Sequence, residues 1–169
     1  MSVLRSICLI GSMGAGKTTV GTQLAELLNL DFIDTDLLLE QQFDSSIVDI
    51  FQNYGMQFFR HQESRVLAQS ISTPNSVIAT GGGCILDPSN RQLLQQHGLV
   101  CYLTVSTVVQ RQRLAGCNTR PLYLSATMSD RAPLYASVAD FSINTDMHAP
   151  TALVEQIHTA MCQLIRWHI

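Results

Sequence analysis

The chain's pattern predicts a three-layer α/β fold, with a five-stranded parallel sheet covered by helices on both faces. Two observations carry this. Short apolar runs alternate with segments of helical periodicity along the whole chain, as they do when crossover helices connect parallel strands. A complete phosphate-binding loop, Gly11-Ser12-Met13-Gly14-Ala15-Gly16-Lys17-Thr18, also stands between the first apolar run and the first helical pattern.

The first run, Ser6–Ile10, has the length and branching of a buried strand. After the loop, Val20, Leu24, Leu27 and Leu28 recur at helical spacing. Further strands are expected at 31–33, 76–80, 99–105 and 141–144, all of ordinary length. Between the second and third lies a mainly helical insert, 37–71, with Ile47, Ile50, Phe51, Phe58, Phe59, Val66 and Leu67, where an acceptor pocket can be built. Residues 114–130 break into turn-prone Gly116-Cys117-Asn118-Thr119 and Ser125-Ala126-Thr127, the pattern of a lid. The closing stretch 150–167 puts Leu153, Ile157, Met161, Leu164 and Ile165 on one helical face, with Pro150 near its start. At 169 residues the simplest organisation is one domain, 1–169, without a separate substrate domain.

Ten basic and thirteen acidic residues leave a net charge of −3, and the basic residues are scattered, so neither nucleic acid nor an anionic membrane is an expected partner. The partner expected is a small molecule. Cys8, Cys84, Cys101, Cys117 and Cys162 are odd in number and far apart, which reads as reduced, mostly buried thiols in the cytoplasm. The first apolar stretch is too short for a signal peptide, and no window approaches a membrane-spanning length. His61, His97, His148, His158 and His168 lack metal-site spacing and are expected on surfaces or helix faces.

The chemistry concentrates at presumed strand ends. In the phosphate loop, backbone N–H groups of Gly14, Ala15, Gly16 and Thr19 and the helix N-terminus favour an anion. Lys17, the one lysine of the chain, reaches the outer phosphates, and Thr18 offers a hydroxyl to Mg²⁺. At the second strand end, Asp34 and Asp36 have the spacing to project the same way, one toward a metal and one toward an acceptor hydroxyl; Asp before Leu37-Leu38-Leu39 also reads as a helix cap. Arg60 and Glu63, three apart, pair either as surface ions or as an arginine clamp for a carboxylate. Gly81-Gly82-Gly83 follows Val77-Ile78-Ala79-Thr80, and three glycines permit positive φ or close backbone approach to a ligand. Arg120 lies in the lid region and Arg131 follows it, each compatible with solvated surface when taken alone.

In order and spacing, the phosphate loop, Asp34-Thr35-Asp36, Phe59-Arg60-x-x-Glu63, Gly81-Gly82-Gly83, Arg120-Pro121-Leu122 and Arg131-Ala132-Pro133-Leu134-Tyr135 resemble the shikimate kinase family over nearly the whole chain. The resemblance implies a P-loop kinase fold that uses Mg²⁺ and ATP to phosphorylate the 3-hydroxyl of shikimate. Lys17 would bind β- and γ-phosphates, Thr18 and Asp34 would hold the metal, and Asp36 would orient the acceptor hydroxyl and take its proton. Arg60 and Arg131 would grip the shikimate carboxylate. Glu63 would fix Arg60, Gly81, Gly82 and Gly83 would line the pocket, and Phe51 and Phe59 would form its apolar wall. Arg120 would close over the transferring phosphoryl group, while Arg113 and Pro150 would flank adenine. A monomer is expected.

Ten residues separate Arg120 from Arg131, fewer than is common in that family, which predicts retained activity with altered lid dynamics or weaker shikimate binding. Two rivals stand beside this reading. One is another small-molecule P-loop kinase, such as a gluconate kinase; the other is a non-catalytic module that senses ATP or shikimate.

Overall fold

The computed structural model describes residues 6–115 and 131–166 of the chain. Its sheet is built from β1 (Ser6–Ile10), β2 (Asp31–Asp34), β3 (Ser76–Ala79), β4 (Gly98–Thr104) and β5 (Phe141–Asn144), all paired in parallel in the order β2-β3-β1-β4-β5. Each expected strand is found within one residue at either end. From β1 the chain crosses to β2 on one side, and from β3, the neighbour of β1, it crosses to β4 on the other. The crevice beyond the C-terminal end of β1 is the switch point where such sheets bind ligands.

Every residue of β1 is buried, and its alternation divides the core. Ile7 and Leu9 face α1 (Lys17–Leu28) and α7 (Pro150–Arg166), meeting Leu24, Ile157 and Met161. Cys8 and Ile10 face the other way, toward Leu67, Leu94 and Tyr135. Those three lie on α3 (Ile47–Ile71), α4 (Pro88–His97) and α6 (Ala132–Val138). The remaining helices are α2 (Thr35–Phe43) and α5 (Thr107–Leu114), with a short 3₁₀ turn at Cys84–Leu86.

The insert has a small core of its own, in which Leu39, Ile47, Ile50, Phe59 and Val66 pack with Phe43, Phe51 and Phe58. It differs from the expected 37–71 in two ways. Helix α2 begins at Thr35, so Asp36 lies in a first helical turn and not on a strand end, which corrects the expectation that Asp34 and Asp36 share a strand's side-chain period. Helix α3 is broken at Gly55, whose φ of 81° and ψ of 169° no helix accommodates. The lid region is outside the described residues except for Leu114 and Ala115 at the end of α5, as are Arg120, Cys117 and His168. Of the other histidines, all four are exposed; Cys8, Cys84 and Cys101 are buried, and Cys162 is exposed.

Candidate active site

The phosphate loop turns directly from β1 into α1. Gly16 caps the helix in the left-handed region (φ 92°), a conformation a side chain would strain, and the cap has no side-chain acceptor. With no acidic residue in its first turn, α1 presents its positive end to the crevice. Lys17 lies over the loop, its Nζ donating to the carbonyls of Gly11 (2.7 Å) and Ser12 (2.9 Å). Ala15, buried, closes the turn through its N–H to the Ser12 carbonyl. Thr18 donates its hydroxyl to Asp34 Oδ2 at 2.7 Å.

Asp34 has two tasks, one for each oxygen. While Oδ2 receives Thr18, Oδ1 accepts from the backbone N–H groups of Asp36 (3.0 Å) and Leu37 (3.2 Å), capping α2. The helix cap and the candidate metal-site carboxylate are thus the same residue. A cavity of about 340 Å³ runs from Gly14, Gly16, Lys17, Thr18 and Thr19 past Asp34 and Asp36 to Gly82. Glu40, one turn after Asp36 on α2, and Leu37 also line it, although the sequence reading singled out neither.

The glycine triad is used for close approach. None of Gly81, Gly82 and Gly83 has a positive φ, contrary to one of the two reasons expected for them. A Cβ on Gly81 would lie 2.6 Å from Asp36 Oδ1 and 2.7 Å from Glu63 Oε1, and one on Gly83 would fall onto the Arg60 guanidinium. Two carboxylates and an arginine therefore pack directly on this backbone. The Gly81 N–H donates to the buried Thr35 hydroxyl (2.9 Å), tying the triad to the start of α2.

Arg60 and Glu63 are one helical turn apart on α3 and joined by a 2.6 Å ion pair. Glu63 is 2% exposed, so this is not a solvated surface pair. Burial raises the Glu63 carboxyl above its ordinary range; Arg60 offsets part of that, and Asp36 adds to it. The Arg60 guanidinium also sits 5.4 Å from the ring centre of Phe59 and 5.9 Å from that of Phe51, two rings stacked 4.1 Å apart. From the opposite side, Arg131 Nη1 donates to the Gly82 carbonyl at 3.5 Å, and its Nε is buried without a hydrogen-bond partner among the described residues. The Tyr135 hydroxyl donates to the same carbonyl (2.5 Å), and its ring stacks on Tyr102. The triad thus brings together Arg60 and Arg131, 71 positions apart in sequence.

Cys84, next in sequence, is buried, and desolvation pushes its thiol up to about 12, which leaves it protonated and inert beside Glu63. On the far side of the phosphate loop, Arg113 donates from Nη1 to the Gly14 carbonyl (3.1 Å) and the Thr145 hydroxyl (3.0 Å). Pro150 is exposed at the first position of α7. Sequence reading gave no role to Gln110, Thr145 or Tyr135. Tyr135 stood in a quoted motif, whereas Gln110 and Thr145 meet the site only through long-range contacts with no local signature.

Three comparisons bear on this arrangement. A family model described as shikimate kinase matches residues 13–162. The chain is 39% identical over 165 residues to a shikimate kinase of Xanthomonas euvesicatoria pv. vesicatoria (strain 85-10), covering 93% of this chain and 92% of that one. It superposes with a TM-score of 0.89 on a shikimate kinase from Acinetobacter baumannii in complex with shikimate, at 39% identity and covering 95% and 94% of the two chains. A gluconokinase from Sinorhizobium meliloti, at 14% identity and a TM-score of 0.60 with 97% and 95% coverage, shares the fold alone.

Proposed function

The chain belongs to the shikimate kinase family, and from that membership we infer that it transfers the γ-phosphoryl group of ATP to the 3-hydroxyl of shikimate. The products are shikimate 3-phosphate and ADP, on the route to chorismate and the aromatic amino acids. The observation that carries this reading is the position of Asp36, which lines the cavity with Lys17 and meets Glu63 across Gly81. One carboxylate thus faces both a phosphate site and a two-arginine site suited to a carboxylated acceptor.

Lys17 leaves its two loop carbonyls for the β- and γ-phosphates, and N–H groups of Gly14, Gly16, Thr18 and Thr19 surround the remaining oxygens, with Ala15 holding the turn closed between them. Arg60 and Arg131 hold the shikimate carboxylate from either side of the triad, with Glu63 fixing the plane of Arg60 and the buried Arg131 Nε–H available to an acceptor oxygen. Gly81, Gly82 and Gly83 form the floor, with Phe51 and Phe59 as the apolar wall. Asp36 orients the 3-hydroxyl and takes its proton as the oxygen bonds to phosphorus and the bond from phosphorus to the ADP oxygen breaks. Arg120 would cancel charge on the transferring group and, with its segment, exclude water. Arg113 and Pro150 would flank adenine, and for Arg113 this means giving up or sharing its bonds to Gly14 and Thr145.

A divalent metal accompanies ATP-dependent phosphoryl transfer, and we take it to be Mg²⁺, which offsets phosphate charge when bound. The donors fit. Thr18 and Asp34 present a hydroxyl and a carboxylate oxygen at the loop mouth, the hard oxygen ligands such an ion takes. The cytoplasm is the compartment proposed, supported by the free thiols of Cys8, Cys84, Cys101 and Cys162. We further propose a monomer with one domain over 1–169. No helix among the described residues is long and apolar enough to cross a membrane.

Phosphorus NMR of the product tests the regiochemistry: coupling of the new phosphate to the proton on C3 of shikimate is expected, and coupling to another ring position would contradict the role given to Asp36.

A further inference from the structure

The phosphate loop is gripped from outside by one face of α5. Gln110, Arg113 and Leu114 fall at i, i+3 and i+4, so they share that face. Gln110 is 6% exposed, and its Nε2 donates to the Met13 carbonyl at 2.6 Å and to Ser12 Oγ at 3.1 Å. Arg113 donates to the Gly14 carbonyl, and Leu114 is close enough that a Cβ on Gly14 would come within 3.3 Å of its Cγ. Loop residues 12, 13 and 14 therefore each meet α5.

A trans peptide points its C=O and the following N–H in opposite directions. Holding the Met13 carbonyl against α5 therefore turns the Gly14 N–H away from α5. Gly14 lines the cavity together with Lys17 and Thr18, so that N–H is aimed into the space a phosphate would fill. Lys17 cannot hold the loop in this shape during turnover, because its bonds to Gly11 and Ser12 are the ones phosphate competes for. Gln110 itself does not line the cavity, so its bond to the Met13 carbonyl is not one that phosphate competes for.

We propose that Gln110 is a positioning residue for ATP: its carboxamide fixes the Met13–Gly14 peptide so that the Gly14 N–H is preset toward the phosphates. This deepens the kinase reading and rests on it. Replacing the carboxamide leaves a part-buried carbonyl without its donor and lets that peptide rotate, so the loss falls on nucleotide binding and not on the acceptor.

The test uses Gln110→Met, which keeps the length and removes both N–H groups, and Gln110→Glu, which keeps the shape and has no proton for the Met13 carbonyl when ionised. Gln112→Ala, an exposed site on the same helix, is the control. ATP affinity is measured by calorimetric titration without shikimate, and KM for each substrate is measured separately. Both Gln110 variants are expected to lose about tenfold or more in ATP affinity, with the shikimate KM within about twofold of wild type. Folded variants with unchanged ATP affinity, or with equal losses for ATP and shikimate, would overturn the proposal. Should either variant fail to fold, Gln110→Asn, whose carboxamide is too short to reach Met13, is read by the same two criteria. Wild-type protein that binds ATP but does not turn over shikimate would instead overturn the kinase reading, while the titration still decides the role of Gln110.

Discussion

Asp36 Oδ1 and Glu63 Oε1 converge on a single backbone atom, the Cα of Gly81, where an added Cβ would stand 2.6 Å from one and 2.7 Å from the other. Glu63 cannot simply swing aside, because its other oxygen is bound to Arg60 at 2.6 Å. Gly81→Ala therefore displaces either Asp36, the proposed base, or Glu63 and with it the Arg60 proposed to hold the carboxylate. A loss of about a hundredfold in kcat/KM for shikimate is expected, with ATP affinity retained, since a displacement near 1 Å is enough for that cost. Near-normal kinetics in the alanine variant would show that the two carboxylates are not held as described.

Arg60 sits between Glu63 and the stacked Phe51 and Phe59 rings, which set the plane of its guanidinium. Lysine keeps the charge and loses the planar fork. Arg60→Lys should raise the KM for shikimate by about tenfold or more and leave the KM for ATP within about twofold. A rise in the ATP KM alone would remove Arg60 from the acceptor site.

Asp36→Asn keeps the shape of the side chain and removes its ability to take a proton. The expected result is a fall in kcat of about 10²–10⁴ with ATP affinity little changed. Steady-state kinetics with an independent ATP titration decide it, and an unaltered kcat would exclude Asp36 as the base.

Burial raises the Glu63 carboxyl above 4.5 in the folded protein. Between the unfolded value and that raised value the native state holds a proton the unfolded chain has released. The contribution of Glu63 to stability is therefore fully present below the unfolded value and declines as pH rises through the folded one. Glu63→Gln removes this dependence. The stability difference, wild type minus variant, is expected to fall as pH increases across the window above 4.5, measured by denaturant titration at each pH; a difference that rises would mean the Arg60 pair outweighs burial.

Much of this architecture is legible in the chain because its causes are local. Ser6–Ile10 is buried at every position, so all of it after Ser6 reads as an apolar run, and the phosphate loop carries its glycines at fixed spacing. What escapes is what depends on partners far along the chain. Gln110 meets Met13 across 97 positions, and nothing in Thr107–Leu114 marks it out from the neighbouring glutamine. Asp34 shows a different difficulty. Capping and a place beside the phosphate loop look like alternatives in sequence, yet one oxygen caps α2 while the other receives Thr18. The triad reads in sequence as permitting positive φ and close approach, and only close approach holds, since φ is positive at none of the three positions and only the packed structure shows Arg60 lying on Gly83. The short connection between Arg120 and Arg131 lies outside the described residues, and its predicted effect on shikimate binding rests on the sequence alone.

The most direct measurement is ADP release from Mg-ATP with shikimate, gluconate or quinate as acceptor, using the wild-type chain and Lys17→Met. Lys17 lines the cavity and is not part of the hydrophobic core, so the variant should fold. The account predicts turnover that requires shikimate, is far lower with gluconate and quinate, and is lost in Lys17→Met. Turnover with gluconate in place of shikimate, or ATP binding without turnover on any acceptor, would contradict it.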